Sequence, residues 1–506
     1  MKILQPIIYA LLICFGIIVG TVSNPSEKTN LSNTKINDII HLINNHYVDT
    51  IATTDFEENT INSILNELDP HSEYIPLKNT KEIEEDMNGS FSGIGVQFNI
   101  INDTIVVISA ISGGPSEKLG IRSGDKIIKI EKKDVASIGI TNKDVIESLR
   151  GEKGTIVNIT IERENNDFLE FAITRAKIPL YSVDVGIILQ DDIGYIKINR
   201  FSATTYEEMM KKISSLQNNG MNNLILDLRG NPGGYLHVAN QICDEFLTEN
   251  ELIVFTEGRN RSKKEIFATK NGSLEKIKVN VIIDEGSASA SEIVAGAIQD
   301  NDRGVIIGRR SFGKGLVQEQ IPMEDGSLLR LTTQRYYTPS GRCIQKDYGM
   351  NKKEYFLEKY QREEDFLDSN KLIYTTKKGR RVYGGGGIYP DIIIKRDTSL
   401  NYYQINYMIS KGWLDEYSIK KSKNIVNTEV ENFKQINIDQ IYLDYLKFVN
   451  EKAPNFELQL GQVELNYFKN LILATISRNI WNNDIYYKII TKEDEFVQKA
   501  LSELNN

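Results

Sequence analysis

The segment K-V-N-V-I-I-D-E-G-S-A-S-A-S-E-I-V-A-G, Lys278–Gly296, is the strongest indication of the fold. Its first seven residues are typical of a buried strand, and a helix is predicted after Ser289. The strand Gly194–Phe201, the amphipathic helix Thr205–Leu216 and the buried strand Asn222–Arg229 are predicted upstream. Buried strands that alternate with helices predict an α/β fold with a largely parallel sheet.

Ser289 and Lys314 indicate the chemistry. Ser289 lies in a small-residue turn at the start of the predicted helix, and R-S-F-G-K-G-L-V-Q, Arg310–Gln318, supplies the lysine. A serine hydroxyl is a poor nucleophile until a base takes its proton, and a buried lysine is one of the few alternatives to histidine. In a strand, residues 314, 316 and 318 share a face, so Gln318 is expected to hydrogen-bond the lysine amine. We therefore predict a hydrolase with a Ser–Lys pair.

Other interpretations of the serine segment are local. Ser289 and Glu292 fit the capping-box pattern, so the hydroxyl could simply cap the helix. Ser287 and Ser291 are competing nucleophiles. Spacing alone does not separate capping from catalysis.

The lysine segment also has alternatives. Lys314 could be a solvated strand lysine, which is the usual place of lysines. The stretch Gly308–Lys314 matches the beginning of a phosphate-binding P-loop, but Gly315 replaces the Ser or Thr that would bind Mg²⁺. A strand rather than a helix is also predicted to follow. We therefore reject nucleotide binding.

The glycine turn in L-D-L-R-G-N-P-G-G, Leu226–Gly234, follows a buried strand. Consecutive glycines leave backbone N–H groups accessible, and such groups can stabilise the oxyanion of an acyl-transfer intermediate. The alternative is an ordinary tight turn between a strand and a helix.

Composition excludes several functional classes. The 506 residues predict three or four domains, and the net charge of −9 argues against nucleic acid as a partner. The sequence contains no H-E-x-x-H motif, no cysteine pair with metal spacing and no G-x-S-x-G elbow. His237 is the only histidine near the proposed site in the sequence, and we interpret it as a residue of helix packing; a Ser–His pair is the alternative.

The N-terminus resembles a targeting signal. Lys2 precedes an apolar run, Ile7–Gly20, and no further charge occurs before Glu27. This length suits a secretory signal better than a full membrane span, although residues 1–23 could also be retained as an anchor in the inner membrane. We expect the rest of the chain to be exported to the periplasm or cell envelope.

The remaining regions follow from periodicity. Residues 30–88 are predicted to be helical, forming a small cap or a dimerisation arm of a homodimer, with a turn at Leu68–Tyr74 where His71 is structural. The catalytic region spans residues 178–397. Within it, two runs that flank E-D-G predict a hairpin, and Gly384–Ile394 predicts a returning strand. Residues 398–506 predict a helical extension.

Residues 89–177 resemble a PDZ domain. Short strands, two helices and the stretch P-S-E-K-L-G-I-R-S-G-D carry the resemblance. It implies that the backbone of Gly93, Ile94, Gly95 and Val96 binds a peptide carboxylate, while the adjoining strand edge pairs with the peptide. Another small β-rich linker domain is the alternative.

Seven motifs in one order, over residues 68–391, resemble the C-terminal processing peptidases, or tail-specific proteases. They are L-D-P-H-S, the PDZ segment, D-L-R-G-N-P-G-G, G-S-A-S-A-S-E-I, F-G-K-G-L-V-Q, Y-Y-T-P-S-G-R-C-I-Q and G-G-I-Y-P-D. The resemblance implies a ClpP/crotonase-like α/β protease core with an inserted PDZ domain and helical regions at both ends.

It further implies that Ser289 is the nucleophile, Lys314 the general base and Gln318 its support. The oxyanion hole maps to the N–H groups of Gly233 or Gly234 and of Ala290. Substrates would be proteins or peptides held by their C-termini, cut through an acyl-enzyme without a metal or organic cofactor. The rivals are a catalytically silent PDZ scaffold and a carbohydrate or lipid hydrolase, although no catalytic carboxylate pair is recognisable.

Overall fold

The computed structural model describes residues 34–163, 167–349, 351–362, 372–397, 400–425 and 436–505. The chain divides into two units, Met1–Ile64 and Leu65–Asn506. The expected signal or anchor, residues 1–23, lies outside the described residues. Among the helices that are described, none has the length and apolar character needed to cross a membrane.

The helices are α1 (Thr34–His46), α2 (Thr53–Asn66), α3 (Leu77–Met87), α4 (Pro115–Lys118), α5 (Asn142–Leu149), α6 (Thr205–Asn218), α7 (Leu236–Phe246), α8 (Ala290–Asp300), α9 (Lys352–Gln361), α10 (Tyr403–Ser410), α11 (Trp413–Asn424), α12 (Ile438–Lys452), α13 (Gln462–Ile480), α14 (Asn483–Ile490) and α15 (Glu495–Asn505).

The strands are β1 (Glu73–Ile75), β2 (Ser90–Gly93), β3 (Val96–Ile100), β4 (Ile105–Ala110), β5 (Lys126–Ile130), β6 (Lys133–Asp134), β7 (Ile156–Arg163), β8 (Asp167–Thr174), β9 (Ala176–Pro179), β10 (Val183–Gln190), β11 (Ile193–Ile198), β12 (Asn223–Asp227), β13 (Leu252–Gly258), β14 (Arg261–Phe267), β15 (Lys278–Ile283), β16 (Val305–Gly308), β17 (Leu316–Pro322), β18 (Leu328–Tyr337), β19 (Ile373–Thr375), β20 (Arg381–Tyr383) and β21 (Ile392–Ile393).

The central sheet has the order β10-β11-β12-β15-β16-β21, and every pair except β10–β11 is parallel. Helices α6, α7 and α8 pack on one face and α15 covers the other. Strand β12 is fully buried from Leu224 to Asp227, which explains its continuous apolar run. The structure therefore confirms the predicted α/β sheet with parallel character.

A second sheet, in the order β1-β18-β13-β14 with β17 on β18, lies in the same unit. The predicted hairpin corresponds to β17 and β18. The region predicted as helices with a turn, residues 30–88, also contains the unpredicted strand β1, which pairs antiparallel with β18. A segment of three residues is too short for its periodicity to reveal a strand, and the pairing partner lies far away in the sequence.

The returning strand predicted at Gly384–Ile394 shrinks to Ile392–Ile393. Gly387 has a φ of 102°, and a Cβ there would lie 2.6 Å from the carbonyl oxygen of Ser311. Gly387 therefore packs closely against neighbouring backbone instead of joining the sheet.

The predicted PDZ domain has a sheet in the order β3-β4-β5-β7-β8, with β6 on β5. Helix α5 begins with a capping box formed by Thr141 and Asp144. Val145 of α5 and Val107 of β4 are fully buried in the domain core. Strands β2 and β9 pair where the chain enters and leaves this domain.

The C-terminal extension is helical, as predicted, and it contacts two other parts of its unit. Ile419 of α11 packs against Ile101 and Val106 on the outer face of the PDZ sheet. Helix α15 packs under the central sheet, where the side-chain amide of Asn280 donates to the carbonyl of Ala500 at 3.0 Å. The extension thus contacts both the PDZ domain and the catalytic sheet.

Candidate active site

The three serines at the junction of β15 and α8 differ in how deeply they are buried. Ser287 and Ser291 are fully buried, and their hydroxyls donate to the carbonyls of Leu228 and Asn231 at 2.8 and 3.0 Å. Ser289 is partly exposed and lines a cleft of about 1090 Å³. Of these three serines, only Ser289 faces a space that could hold a substrate.

The backbone of Ser289 is strained. Its φ of 55° and ψ of −112° lie outside the regions that a residue with a Cβ adopts easily. Its N–H donates to the Glu292 carboxylate at 2.8 Å, and the hydroxyl of Tyr336 donates to its carbonyl at 3.2 Å. Strain of this kind occurs preferentially at functional positions, where the surrounding structure enforces it.

Lys314 lies two residues before β17 begins. Its amine donates to Oε1 of Gln318 at 2.6 Å, although the register of β17 shifts between Val317 and Gln318. The expected contact is therefore present, but regular strand alternation does not produce it. Burial, with a contribution from the positive charge of Arg330, lowers the pKa of Lys314 to about 8. An amine with this pKa is partly neutral near physiological pH.

Gln318 connects the lysine to the L-D-P-H-S turn. Its amide nitrogen donates to the backbone carbonyl of His71 at 2.6 Å. This contact orients the Gln318 amide with Oε1 toward Lys314, so Oε1 accepts a hydrogen bond from the lysine amine. The lone pair of the lysine nitrogen takes no part in this bond. The lone pair of a neutral lysine would therefore remain available for a proton.

The L-D-P-H-S turn is itself held by Asp69. One carboxylate oxygen of Asp69 accepts the N–H groups of His71 and Ser72 at 2.8 and 2.9 Å. The His71 ring is hydrogen-bonded to the hydroxyl of Tyr355 at 2.8 Å. Burial, followed by the charge of Lys314, lowers the pKa of His71 to about 3, so the ring is neutral. The side chain of Gln318 links the backbone carbonyl of His71 to the amine of Lys314. The position of His71 in the sequence could not reveal this arrangement.

Ser289 and Lys314 line the same cleft. Between these two described residues, no hydrogen bond joins the hydroxyl to the amine, whose bond goes to Gln318. Contacts between a nucleophile and its base are often long without substrate and shorten in the complex. The two side chains therefore line one cleft without a direct hydrogen bond between them.

The glycine turn approaches Ser289 closely. A Cβ on Gly233 would lie 2.8 Å from the Cβ of Ser289 and 3.0 Å from the nitrogen of Ala290. The Gly233 N–H already donates to the Asn231 side chain at 2.9 Å. Within the described part of the chain, the N–H groups of Gly234 and Ala290 have no hydrogen-bond acceptor. The geometry therefore favours Gly234 over Gly233 as the partner of Ala290 in an oxyanion hole.

The four residues expected to bind a carboxylate lie where β2 gives way to β3, with Ile94 and Gly95 in the loop between the two strands. The carbonyls of Ile94 and Gly95 accept hydrogen bonds from the N–H groups of Ser116 and Ile111 at 3.1 and 2.9 Å. No acceptor among the described residues bonds the N–H groups of Ile94 and Gly95, and both residues are buried. Gly93 ends β2 and Val96 begins β3, an edge strand with one neighbour in its sheet. Buried N–H groups without partners favour an external acceptor.

His237 was expected to pack within its helix, and this prediction is wrong. The residue is exposed in the first turn of α7, with its ring centroid 5.1 Å from that of Tyr235. It lines the cleft, but no hydrogen bond joins it to Ser289 in the described residues.

Sequence reasoning missed the role of two carboxylates near the site, Glu292 and Asp69. Glu292 was visible only as the end of a capping box, and Asp69 only as part of a turn. In the structure, Glu292 is fully buried and accepts hydrogen bonds from both the serine and the lysine segments. The S-x-x-E spacing predicts that Glu292 caps the helix. It does not predict the contact of Glu292 with the lysine segment.

Comparisons with known proteins agree with this arrangement. The sequence model of peptidase family S41 matches residues 192–352, and that of the PDZ domain matches residues 92–173. The carboxy-terminal-processing protease of Bartonella bacilliformis is 38% identical over 329 residues, which are 64% of this chain and 75% of that protein. These matches confirm the resemblance, the protease core and the PDZ domain.

Two further relatives are similar over the same part of the chain. The carboxy-terminal processing protease CtpB of Bacillus subtilis is 36% identical over 331 residues, covering 65% of this chain and 68% of that protein. A probable CtpA-like serine protease of Staphylococcus aureus is 33% identical over 325 residues, covering 63% and 64%. The roles of single residues and the domain boundaries stay predictions.

Proposed function

Because this chain belongs to peptidase family S41 and is a serine protease of the carboxy-terminal-processing kind, we propose that it is an endopeptidase with a Ser289–Lys314 pair. The observation that carries the proposal is the lysine amine. It has a pKa lowered to about 8, it is oriented by Gln318, and it lines the same cleft as the serine. A partly buried lysine of this kind can serve as a base in place of histidine.

The reaction proceeds through an acyl-enzyme. Neutral Lys314 takes the proton of the Ser289 hydroxyl while the oxygen attacks the scissile carbonyl. The N–H groups of Gly234 and Ala290 donate to the oxyanion that forms. The lysine ammonium then protonates the leaving amine, and water, activated by the same amine, releases the acyl group. No step requires a metal or an organic cofactor.

Substrates are selected by their C-termini. The N–H groups of Ile94 and Gly95 bind the terminal carboxylate, and the free edge of β3 adds the peptide as a further strand. The unpaired N–H groups and the edge position of β3 support this part of the proposal. The apolar N-terminus supports export to the periplasm or cell envelope, either with a cleaved signal or with an anchor.

The test is cleavage of an unstructured protein by the full chain and its variants. Ser289→Ala and Lys314→Ala should each abolish cleavage, whereas Ser291→Ala, a buried serine in the same turn, should retain it. Equal cleavage by wild type and both site variants would refute the Ser–Lys pair. If the wild type is also inactive yet binds the substrate, the protein is a silent PDZ scaffold.

Recognition of the C-terminus has a separate control. The same peptide is prepared with a free carboxylate and with a C-terminal amide, which removes the negative charge. We expect the amide to be cut with a higher KM and a similar kcat. Equal KM values for the two peptides would show that the carboxylate is not bound.

A further inference from the structure

The carboxylate of Glu292 joins the two segments that carry the proposed nucleophile and base. Its Oε2 accepts the backbone N–H groups of Ser289 and Lys314, both at 2.8 Å. Its Oε1 accepts the N–H of Gly313 at 2.7 Å and the hydroxyl of Ser311 at 2.5 Å. A single side chain therefore connects the N-terminus of α8 to the loop before β17.

The side chain of Glu292 is fully buried. Burial raises its pKa above the usual range, and the four hydrogen bonds, which favour the charged form, offset only part of this shift. An ionised carboxylate only accepts hydrogen bonds and can take two on each oxygen, which matches the four donors. A protonated acid or an amide would place a donor against one of them. The site is thus built for the charged form.

The position of these hydrogen bonds matters for the serine. Ser289 has a positive φ of 55°, a conformation that is unfavourable for a residue with a Cβ and persists only when surrounding contacts enforce it. Its N–H is the group that Glu292 holds. The same oxygen holds the N–H of Lys314, so the spacing of the two backbones depends on one atom.

We propose that Glu292 is a positioning residue, which fixes the backbone of Ser289 relative to that of Lys314 and so sets the approach of the amine to the hydroxyl. The inference rests on the proposed Ser–Lys function. Glu292 does not touch the substrate. It acts by holding the two reacting side chains within the narrow range of geometry that proton transfer requires.

Glu292→Gln is the first test, because it keeps the shape and removes the charge. The amide has one oxygen for four donors, so two of them, at least one a backbone N–H group, lose their acceptor. We expect kcat to fall by about 10- to 100-fold with little change in KM, since an error of about 1 Å can cost about 100-fold in rate. The negative charge of Glu292 also raises the pKa of Lys314. The acid limb of the pH profile is the range in which kcat/KM rises as Lys314 loses its proton. Loss of the Glu292 charge should move this acid limb to lower pH.

Ser287→Ala is the matched control. Its hydroxyl lies in the same turn, is fully buried, donates to the carbonyl of Leu228 and accepts the N–H of Asp284 at 2.9 Å. It contacts neither Glu292 nor the proposed pair. We expect a lower unfolding temperature but an acid limb at the wild-type pH. If Glu292→Gln also left the limb in place and changed kcat no more than this control, the positioning role would be refuted.

Glu292→Asp covers the case in which the amide variant does not fold. Aspartate retains the charge but is one methylene shorter, so it cannot reach both Ser289 and Lys314. We expect a lower kcat with an acid limb close to the wild-type pH, and a kcat equal to that of the wild type would refute the inference. Failure of the Ser–Lys function is recognised separately, because Ser289→Ala would then still cleave.

Discussion

The pH dependence of cleavage tests whether Lys314 is the base, through a charge pair beside it. Glu73 of β1 and Arg330 of β18 are cross-strand partners, with their side chains 2.5 Å apart. Burial and then Arg330 lower the pKa of Lys314 to about 8, while Glu73 raises it. Two single substitutions should therefore shift the same titration in opposite directions.

Arg330→Gln removes a positive charge and leaves Glu73 without its partner, and both effects raise the pKa of Lys314. Glu73→Gln removes a negative charge and leaves Arg330 unneutralised, so the pKa falls. A unit charge near a partly buried group changes its pKa by about one unit, which corresponds to about 1.4 kcal/mol. At pH 7 a base with a pKa of about 8 is about one-tenth neutral, and one unit more leaves about one-hundredth. Arg330→Gln should therefore lower kcat/KM at pH 7 about tenfold.

The assay is kcat/KM for a quenched fluorescent peptide, measured from about pH 6 to about pH 10, because this profile reports the free enzyme. Activity should rise with pH through the pKa of Lys314, since only the neutral amine accepts a proton. At high pH Lys314 is neutral in every variant, so kcat/KM reaches a plateau that does not depend on its pKa. A difference between the plateaus would therefore report contacts of Arg330 with the substrate. The pH at which kcat/KM rises could be unchanged in both variants, or could move in the same direction in both. Either result would show that Lys314 does not control the rate.

Three further predictions concern the glycine turn and the C-terminal extension. Gly234→Ala would place a Cβ 2.1 Å from the carbonyl oxygen of Phe201, so activity and unfolding temperature should both fall. Gly230→Ala is the control: its Cβ would have no atom within 4 Å, and activity should be kept. Phe496→Ala should lower the free energy of unfolding by about 3–5 kcal/mol in denaturant titrations, because Phe496 fills the underside of the central sheet. Ile419→Asp would bury a carboxylate against the PDZ sheet, so hydrogen exchange of α11 should accelerate while that of α8 does not. Unchanged exchange in α11 would mean that this contact does not hold the helix.

Local patterns predicted much of the fold. Residues 223–227 and 278–283 are buried strands that follow from their apolar runs, and the hairpin of β17 and β18 follows from two such runs around a turn. The PDZ domain was recognisable because one specific stretch lies in a regular order of elements. These features depend on neighbours in the sequence, which periodicity can detect.

The support of the candidate site could not be predicted in this way. The contact between Gln318 and His71 joins residues 247 positions apart, and Glu292 contacts Lys314 across 22 positions. No residue type in L-D-P-H-S indicates that a backbone carbonyl is its useful group. The bulge in β17 is equally invisible in the sequence, although it determines how Gln318 reaches the lysine.

The position of α15 bears on how the protein is made. Phe496, Val497, Leu501 and Leu504 cover the underside of a sheet whose strands lie between residues 183 and 393. During synthesis, the catalytic motifs therefore leave the ribosome well before the residues that bury one face of their sheet. A nascent chain cannot complete this core until α15 has been translated. A chain that stops before α15 therefore leaves one face of its catalytic sheet uncovered.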